Sequence, residues 1–396
     1  MPPIIFRKGL DMKDAVAAEL SAAYHSAIVD EMREHGFVRR HGRLTIHLAR
    51  EFGFCYGVER AVDYAYQTRK RFPERRVYLT DEIIHNPHVN DRLRAQGIHF
   101  LSDPGEDAAA LGPDDVVILP AFGVGVGEMA RLERQGCTLV DTTCGSVLNV
   151  WKNVRRYAQD GLTAVIHGKM HHEETRATAS QASQYPGRHF LVLLDKDEAE
   201  VVCAFIRHGG NRDDFLAHFG DAASPDFDPE RDLQRIGCAN QTTMLMSESL
   251  AIGEMLRTAM RDRYGEVELA SRFRAFDTIC SATQERQDAI IALLSSEQPA
   301  LARVIGGYNS SNTCNLARIC AEHIPTYHIA DADCLASADA IRHRPVGAPS
   351  TAVVPEQTTT AWLPAGPITL GLTAGASTPN NIVGQVIERL EELAGA

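Results

Sequence analysis

Short apolar runs, each too brief for a helix and many followed by a helical pattern, recur along this chain. They lie at 77–80 (VYLT), 115–120 (DVVILP), 137–140 (CTLV), 162–167 (LTAVIH), 190–194 (FLVLL), 303–305 (RVI) and 368–372 (ITLGL). Helix-period patterns occupy 57–70, 87–96, 126–135, 147–160 and 282–295. Such alternation predicts an α/β fold whose sheets are mostly parallel, with helices on their faces. Several runs end in a small polar loop: EFGFCYG at 51–57, AFGVGVG at 121–127, VDTTCGS at 140–146, FDTICSA at 276–282, GGYNSSNT at 306–313 and TAGASTPN at 373–380. In an α/β unit these loops fall at the C-terminal edges of strands, where helix N-termini and backbone N–H groups converge on ligands. The likeness of DTTC to DTIC predicts related units with equivalent cysteines.

A chain of 396 residues exceeds one growing core and predicts two or three compact units. Residues 12–35 read as one amphipathic helix, with Val16, Leu20, Tyr24, Ile28 and Met32 at four-residue spacing, packing on the outside of the body. RLTIHLAR at 43–50 alternates like a strand. Residues 207–232, rich in Gly, Asp and Arg, read as a surface insertion or long loop, and the proline-rich stretch 343–367 as an extended connection. The formal charge of −12 argues against a general nucleic-acid binder. No run of eighteen apolar residues predicts a membrane span, and the N-terminal MPPIIFRKGLDMKD lacks the apolar core of a secretion signal. Nine cysteines are too sparse for a disulfide scaffold and predict a reducing compartment, the cytoplasm.

Three of those cysteines share one context. Cys55, Cys144 and Cys280 each stand between a strand-like run and a helix, where the helix N-terminus favours a thiolate. Three thiolates can hold a cubane cluster with one iron left open, or a catalytic zinc with water in the fourth position. Their spacing alone also allows three unrelated buried thiols. Cys137 and Cys203 lie in apolar, strand-like surroundings and read as core; Cys238, Cys314, Cys320 and Cys334 have no clear context.

The polar loops add acid, base and anion-binding groups. HGKMHHEET at 167–175 places His172 and Glu174 where they can deliver a proton beside an anion, or merely cap a helix. His85 precedes Asn86 and Pro87 at a helix entry, as a ligand group or a structural histidine. NQTTM at 240–244 offers Thr242 and Thr243, YNSSNT offers Ser310, Ser311 and Asn312, and GASTPN offers Ser377. Hydroxyls, amides and helix N–H groups suit phosphate oxygens. GVGVGE at 123–128 lacks the spacing of a dinucleotide loop, and no lysine-bearing phosphate loop occurs.

Taken together and in order, FGFCYGVERAV, EIIHNPHVN, VVILPAFGVG, VDTTCGSV, IHGKMHHEETRATAS, NQTTM, DTICSATQERQDA, NSSNT and TAGASTPN resemble the 4-hydroxy-3-methylbut-2-enyl diphosphate reductase family of the non-mevalonate isoprenoid pathway, in its cyanobacterial and plastid form. The resemblance runs from about residue 49 to the end. It implies three similar α/β domains arranged around a central iron–sulfur cluster: 49–145 with Cys55, 146–277 with Cys144 in the loop before it, and 278–368 with Cys280. Residues 1–48 would form an N-terminal helical extension and 369–396 a segment closing the site.

The resemblance further implies one [4Fe-4S] cluster per chain, with Cys55, Cys144 and Cys280 as ligands and one open iron. It makes Glu174 the proton-delivering acid and Thr242 an active-site hydroxyl. His85, His172, Ser310, Ser311, Asn312 and Ser377 become contacts to a small-molecule diphosphate substrate. A ferredoxin-like or flavodoxin-like protein would supply electrons, with no nucleic-acid or membrane partner. Two positions depart from the common family pattern. Phe122 stands where many bacterial members carry histidine, and Gly145 stands where proline usually follows the second cysteine. A zinc or iron hydrolase of a phosphorylated metabolite and a non-catalytic metal sensor are the competing classes.

Overall fold

Capping side chains set many of the element boundaries. The computed structural model describes residues 4–276, 278–348 and 353–395. Asp277 of the DTIC string and residues 349–352 of the proline-rich connection lie outside them.

Following the chain, β1 (Ile5–Phe6) leads to helices α1 (Lys13–Tyr24) and α2 (Ala27–Glu34), and β2 (Val38–His41) turns back into β3 (Leu44–Leu48). Next come α3 (Tyr56–Arg71), β4 (Val77–Leu79), α4 (Pro87–Ala95), β5 (Ile98–Phe100), β6 (Val116–Leu119), α5 (Val126–Gln135) and β7 (Thr138–Asp141). The middle of the chain holds α6 (Gly145–Gln159), β8 (Thr163–His167), α7 (Glu173–Ala182), β9 (Phe190–Leu193), α8 (Lys196–His208), α9 (Arg212–Phe219), α10 (Pro229–Asp232), β10 (Ile236–Asn240), α11 (Met246–Arg272) and β11 (Phe273–Ala275). The last part holds α12 (Ser281–Glu297), β12 (Leu301–Ile305), α13 (Ser311–Ala321), β13 (Thr326–Ile329), β14 (Ala340–His343), β15 (Gln357–Thr360), β16 (Ile368–Ala374) and α14 (Asn380–Gly395).

The sheets are mostly parallel, as the alternation predicts. One has the order β1-β7-β6-β4-β5 and a second the order β11-β10-β8-β9, with every pair parallel. A third, β13-β12-β16-β3-β2, is parallel except for its edge strand β2. β14 and β15 form a separate antiparallel ribbon, so the TTT run of the expected extended connection is a strand.

Two compact units result. One comprises residues 122–137 and 143–280 and contains the four-stranded sheet. Its β8 shows why buried parallel strands read as unbroken apolar runs. Val165 joins a core with Leu191, Leu193 and helices α8, α9 and α11, while Ala164 and Ile166 join a core on α6 and α7. The other unit comprises residues 4–121, 138–142 and 281 onward and contains both five-stranded sheets. It has one core around Ile46, Leu370, Leu372 and Val386, and another around Val62, Leu79, Ile118 and Val140.

Three readings are corrected. The helix expected over 12–35 is two, because Ser26 leaves the helical conformation (φ −144°, ψ 117°) and caps α2 by accepting from Val29 N–H. Nor does it lie only on the outside: Val16 is fully buried against α3, and Val29 and Met32 enter the core of the third sheet. Residues 207–232 are not a long loop. Asn211 caps α9 through the Asp213 and Asp214 amides, and Phe215, Phe219 and Phe227 are buried together. Cys203 is core as expected, but on helix α8 rather than a strand.

Candidate functional site

Within residues 122–137 and 143–280, the C-terminal edge of the four-stranded sheet gathers an acid, a hydroxyl and a cysteine. β8 ends at His167, and the loop after it returns through His172, the N-cap of α7. His172 Nδ1 accepts the Glu174 backbone N–H at 3.2 Å, so the neutral ring carries its proton on Nε2. Glu174 follows in the first turn and is 3 % exposed. Its Oε1 accepts the Thr242 backbone N–H at 2.6 Å, and its Oε2 accepts the Thr242 hydroxyl at 3.0 Å. Thr242 lies in the turn after β10, and its carbonyl accepts the Cys280 backbone N–H at 3.2 Å. One carboxyl group therefore fixes both the threonine hydroxyl and, through the same residue, the approach to Cys280.

Gln241 braces this arrangement. It is fully buried, and its Oε1 accepts from Lys169 N–H and Thr175 Oγ, each at 3.1 Å, while its Nε2 donates to Thr243 Oγ at 2.9 Å. The Phe122 ring stands edge-on to His172, with centroids 6.3 Å apart. The departure from histidine thus leaves an apolar edge against the imidazole. Cys144 is the N-cap of α6, with Gly145 as first helical residue; that departure sits in open space with nothing within 4 Å of an added Cβ.

Within residues 4–121, 138–142 and 281 onward, a second group of loops gathers the residues expected to contact an anion. Asn86 caps α4 and Pro87 opens it, which places His85 at the helix entry. The Glu82 carboxylate sits 2.9 Å from His85 Nδ1 and also accepts from Asn309 Nδ2 at 3.0 Å, so Nδ1 carries a proton. Ser377 Oγ donates to the His85 carbonyl at 3.2 Å, and Asn86 Nδ2 donates to the Ser377 carbonyl at 2.9 Å. Gly307 is required here, because a Cβ would overlap the His85 carbonyl oxygen.

Ser310 caps α13, with Ser311 and Asn312 buried in its first turn. Asn312 Oδ1 accepts the Ala376 N–H at 3.0 Å, but its buried Nδ2 has no partner among the described residues. A buried amide donor left over beside a helix N-terminus is a place for an acceptor such as a phosphate oxygen.

Cys55 caps α3 in this second unit, and its N–H donates to the Ala376 carbonyl at 3.3 Å. Arg286, buried on α12, holds the same loop by donating to the Gly53 carbonyl at 2.7 and 3.2 Å and to the Phe54 carbonyl at 3.2 Å. Cys55, Cys144 and Cys280 are each only half-buried and each immediately precede or cap a helix. The deeper thiols are chemically different. Burial pushes Cys203 up to about 11 and Cys238 and Cys320 up to about 12, and it also raises Cys334. Cys314 donates its thiol to the Tyr308 carbonyl at 3.4 Å. Iron and zinc take thiolate, and each of the three helix-entry cysteines offers a more accessible thiol than the five buried ones do.

Glu82, Gln241, Arg286 and Asn309 brace the candidate-site loops and are not singled out by the sequence reading. Glu82 alone left a local signal, the three-residue spacing to His85 in EIIH.

Comparison with known proteins places the chain. Residues 46–391 match the pattern of the family described as LytB protein. A protein of Gloeobacter violaceus named 4-hydroxy-3-methylbut-2-enyl diphosphate reductase is 49 % identical over 98 % of this chain and 93 % of its own length. One of the same name from Thermosynechococcus vestitus is 47 % identical over 97 % of this chain and 93 % of its own length. A solved structure of (E)-4-hydroxy-3-methyl-but-2-enyl diphosphate reductase, the terminal enzyme of the non-mevalonate pathway, aligns with 88 % of this chain and 99 % of its own at a TM-score of 0.53 and 25 % identity. The Plasmodium falciparum reductase structure shares the fold at a TM-score of 0.61 and 19 % identity, over 88 % of each chain. With the family pattern spanning both loop groups and nearly half its residues shared with whole-length relatives, this chain belongs to the LytB family.

Proposed function

We propose that this chain reduces (E)-4-hydroxy-3-methylbut-2-enyl diphosphate to isopentenyl and dimethylallyl diphosphates. Two electrons and two protons enter, the carbon–oxygen bond breaks, and the oxygen leaves as water. The observation that carries the reading is the buried Glu174 carboxyl group holding both the amide and the hydroxyl of Thr242. It belongs to a chain whose family pattern and named relatives point to this substrate.

The family is one of iron–sulfur enzymes. We assign a [4Fe-4S] cluster to Cys55, Cys144 and Cys280, with one iron left without a protein ligand. When bound, the cluster supplies the electrons and a Lewis-acid site for the hydroxyl oxygen. The chain's own groups do the rest. Glu174 holds the proton at Oε2, where the 3.0 Å contact with Thr242 Oγ can be polarised in either direction. Thr242 therefore orients a hydroxyl while passing or sharing that proton. His172 presents Nε2–H to an anion because Nδ1 is engaged by the Glu174 amide. His85, Ser310, Ser311, Asn312 and Ser377 bind the diphosphate with histidine, hydroxyl and amide groups.

A small ferredoxin-like or flavodoxin-like protein supplies electrons one at a time, docking on a local patch despite the chain's net charge. The reducing cytoplasm suits nine thiols. No helix among the described residues is long and apolar enough to cross a membrane.

Anaerobic purification followed by turnover with an artificial one-electron donor tests the reading. The expected sample is brown, holds iron and acid-labile sulfide near one cubane per chain, and converts the named substrate. Changing Cys55, Cys144 or Cys280 to serine prevents assembly, and Cys203→Ser does not. A colourless protein with stoichiometric zinc and no labile sulfide, hydrolysing a phosphate ester, would overturn it.

A further inference from the structure

The four-stranded sheet has a second end. β8, β9 and β10 finish at or before the polar loops described above, but they begin just after Gly161, His189 and Arg235. Five residues of β8 separate the two ends, roughly 16 Å at strand rise. At the beginning lies a cavity of about 170 Å³ walled by Gly161, Arg188, His189, Arg231, Asp232 and Arg235, among others.

Two of its three arginines have no carboxylate within ion-pair distance among the described residues. Arg231 is neutralised by Asp232, with Nε at 2.7 Å from Oδ1 and Nη2 at 2.8 Å from Oδ2. His189 is engaged at both ring nitrogens, Nε2 with Arg231 Nη2 and Nδ1 with Ser224 Oγ, both at 3.1 Å. The nearby Asp160 is engaged by Arg274 and acts on Arg235 only weakly and at longer range. Arg235 uses Nε on the Ser271 carbonyl at 3.2 Å, while its Nη1 turns to Gly161. A Cβ on Gly161 would lie 3.1 Å from Arg235 Nη1 and 3.5 Å from Arg188 Nη1, so both guanidinium groups close over this one residue. Its left-handed φ of +78° keeps the floor bare. Neither Arg188 nor Arg235 forms an ion pair among the described residues.

We propose that this cavity binds a dianionic phosphate group, free or as the terminal group of a phosphomonoester, at a site separate from the diphosphate loops. Two planar guanidinium groups without carboxylates match two negative charges and the paired oxygens of a tetrahedral oxyanion. The volume holds one such group with a few waters and is well below that of a nucleotide-sized pocket.

Calorimetric titration of the full chain with inorganic phosphate tests this. Wild type shows a binding event that His85→Asn leaves in place and that Arg188→Gln with Arg235→Gln removes, each arginine being worth about tenfold or more in affinity. Arg188 is exposed, so Arg188→Glu folds normally and carries the test if the double variant does not. Tighter binding of glycerol phosphate than of phosphate assigns the site to a phosphomonoester; the reverse assigns it to the free ion. Equal stoichiometry and affinity in wild type and Arg188→Glu would sink the proposal.

Discussion

Thr242 and Cys280 are joined main chain to main chain: the Cys280 N–H donates to the Thr242 carbonyl at 3.2 Å, while the Thr242 N–H and hydroxyl both end on Glu174. Thr278 adds a parallel tie, its Oγ accepting the Asn240 N–H at 2.7 Å. The end of β10 thus carries two loads. It aims a hydroxyl at a carboxyl group, and it fixes the backbone of a cysteine placed just before α12. A change in the acid therefore reaches the cysteine backbone through Thr242, and substitution of the acid alone tests whether the two roles separate.

Glu174→Gln retains an acceptor for the Thr242 amide but removes the carboxyl proton. Turnover should fall about 10²-fold or more, the scale of general acid catalysis, with cluster absorption and substrate binding near normal. Glu173 is the control. It is partly exposed, with 35 % of its side chain accessible, and its carboxylate lies 3.9 Å from His172 Nδ1. Glu173→Gln should keep most activity. Paired anaerobic assays decide the assignment, and a fully active Glu174→Gln enzyme removes Glu174 from the mechanism.

Glu82 fixes the Nδ1 side of His85 and the Asn309 amide together. Glu82→Gln should weaken diphosphate binding about tenfold by loosening His85, the effect expected for one charge-assisted hydrogen bond. His85→Asn should weaken it further, and neither should change iron content. Anaerobic calorimetry measures both. Unchanged affinity accompanied by loss of iron would move His85 from the substrate to the cluster.

The legible parts of the fold were those with a local physical signature. β8 and β9 are buried on both faces, so LTAVIH and FLVLL read as continuous runs. The helix-entry cysteines were legible because a small polar loop follows each strand. β10 was not, since IGCAN has one branched residue and owes its burial to neighbours on both sides. α9 was hidden because Phe215, Phe219 and Phe227 stand among Gly, Asp and Arg, and their packing with one another and with Phe205 makes them core. Arg286 and Gln241 act on loops 66 to 233 residues away, a separation no sequence window spans.

Gly145 is a removable weakness. It is the first residue of α6, its N–H is one a helix leaves unpaired, and an added Cβ meets nothing. Cys144 before it is extended, at φ −63° and ψ 143°, the conformation a following proline demands. Gly145→Pro should therefore stabilise by about 0.4–1 kcal/mol through the unfolded chain, without loss of iron. Thermal melting of the two proteins at equal cluster content checks this. A lower melting temperature would show that the amide or the flexibility of Gly145 is used.

His328 sets a pH limit on stability. It is buried on β13, its Nε2–H donates to the Gly306 carbonyl at 3.1 Å, and Tyr308 stands edge-on to its ring. Burial foremost, opposed by the Gly306 bond and assisted by Arg344 and His343, lowers its pKa from 6.5 to about 4. The sign follows from proton uptake. Between pH 6.5 and about 4 the unfolded chain binds a proton at this ring and the folded chain does not, so stability falls as the pH falls through that window. The full loss is about 3 kcal/mol and is complete below the folded value; above pH 6.5 the residue contributes no pH dependence. His328→Gln keeps an N–H donor for Gly306 and cannot charge. Urea midpoints of both proteins across this range should diverge, with wild type losing stability faster toward pH 4. Other titrating groups are common to the two chains and cancel in the difference. Parallel curves would mean that His328 takes up its proton in the folded state at the ordinary pH, through water reaching the ring or a shift of β13.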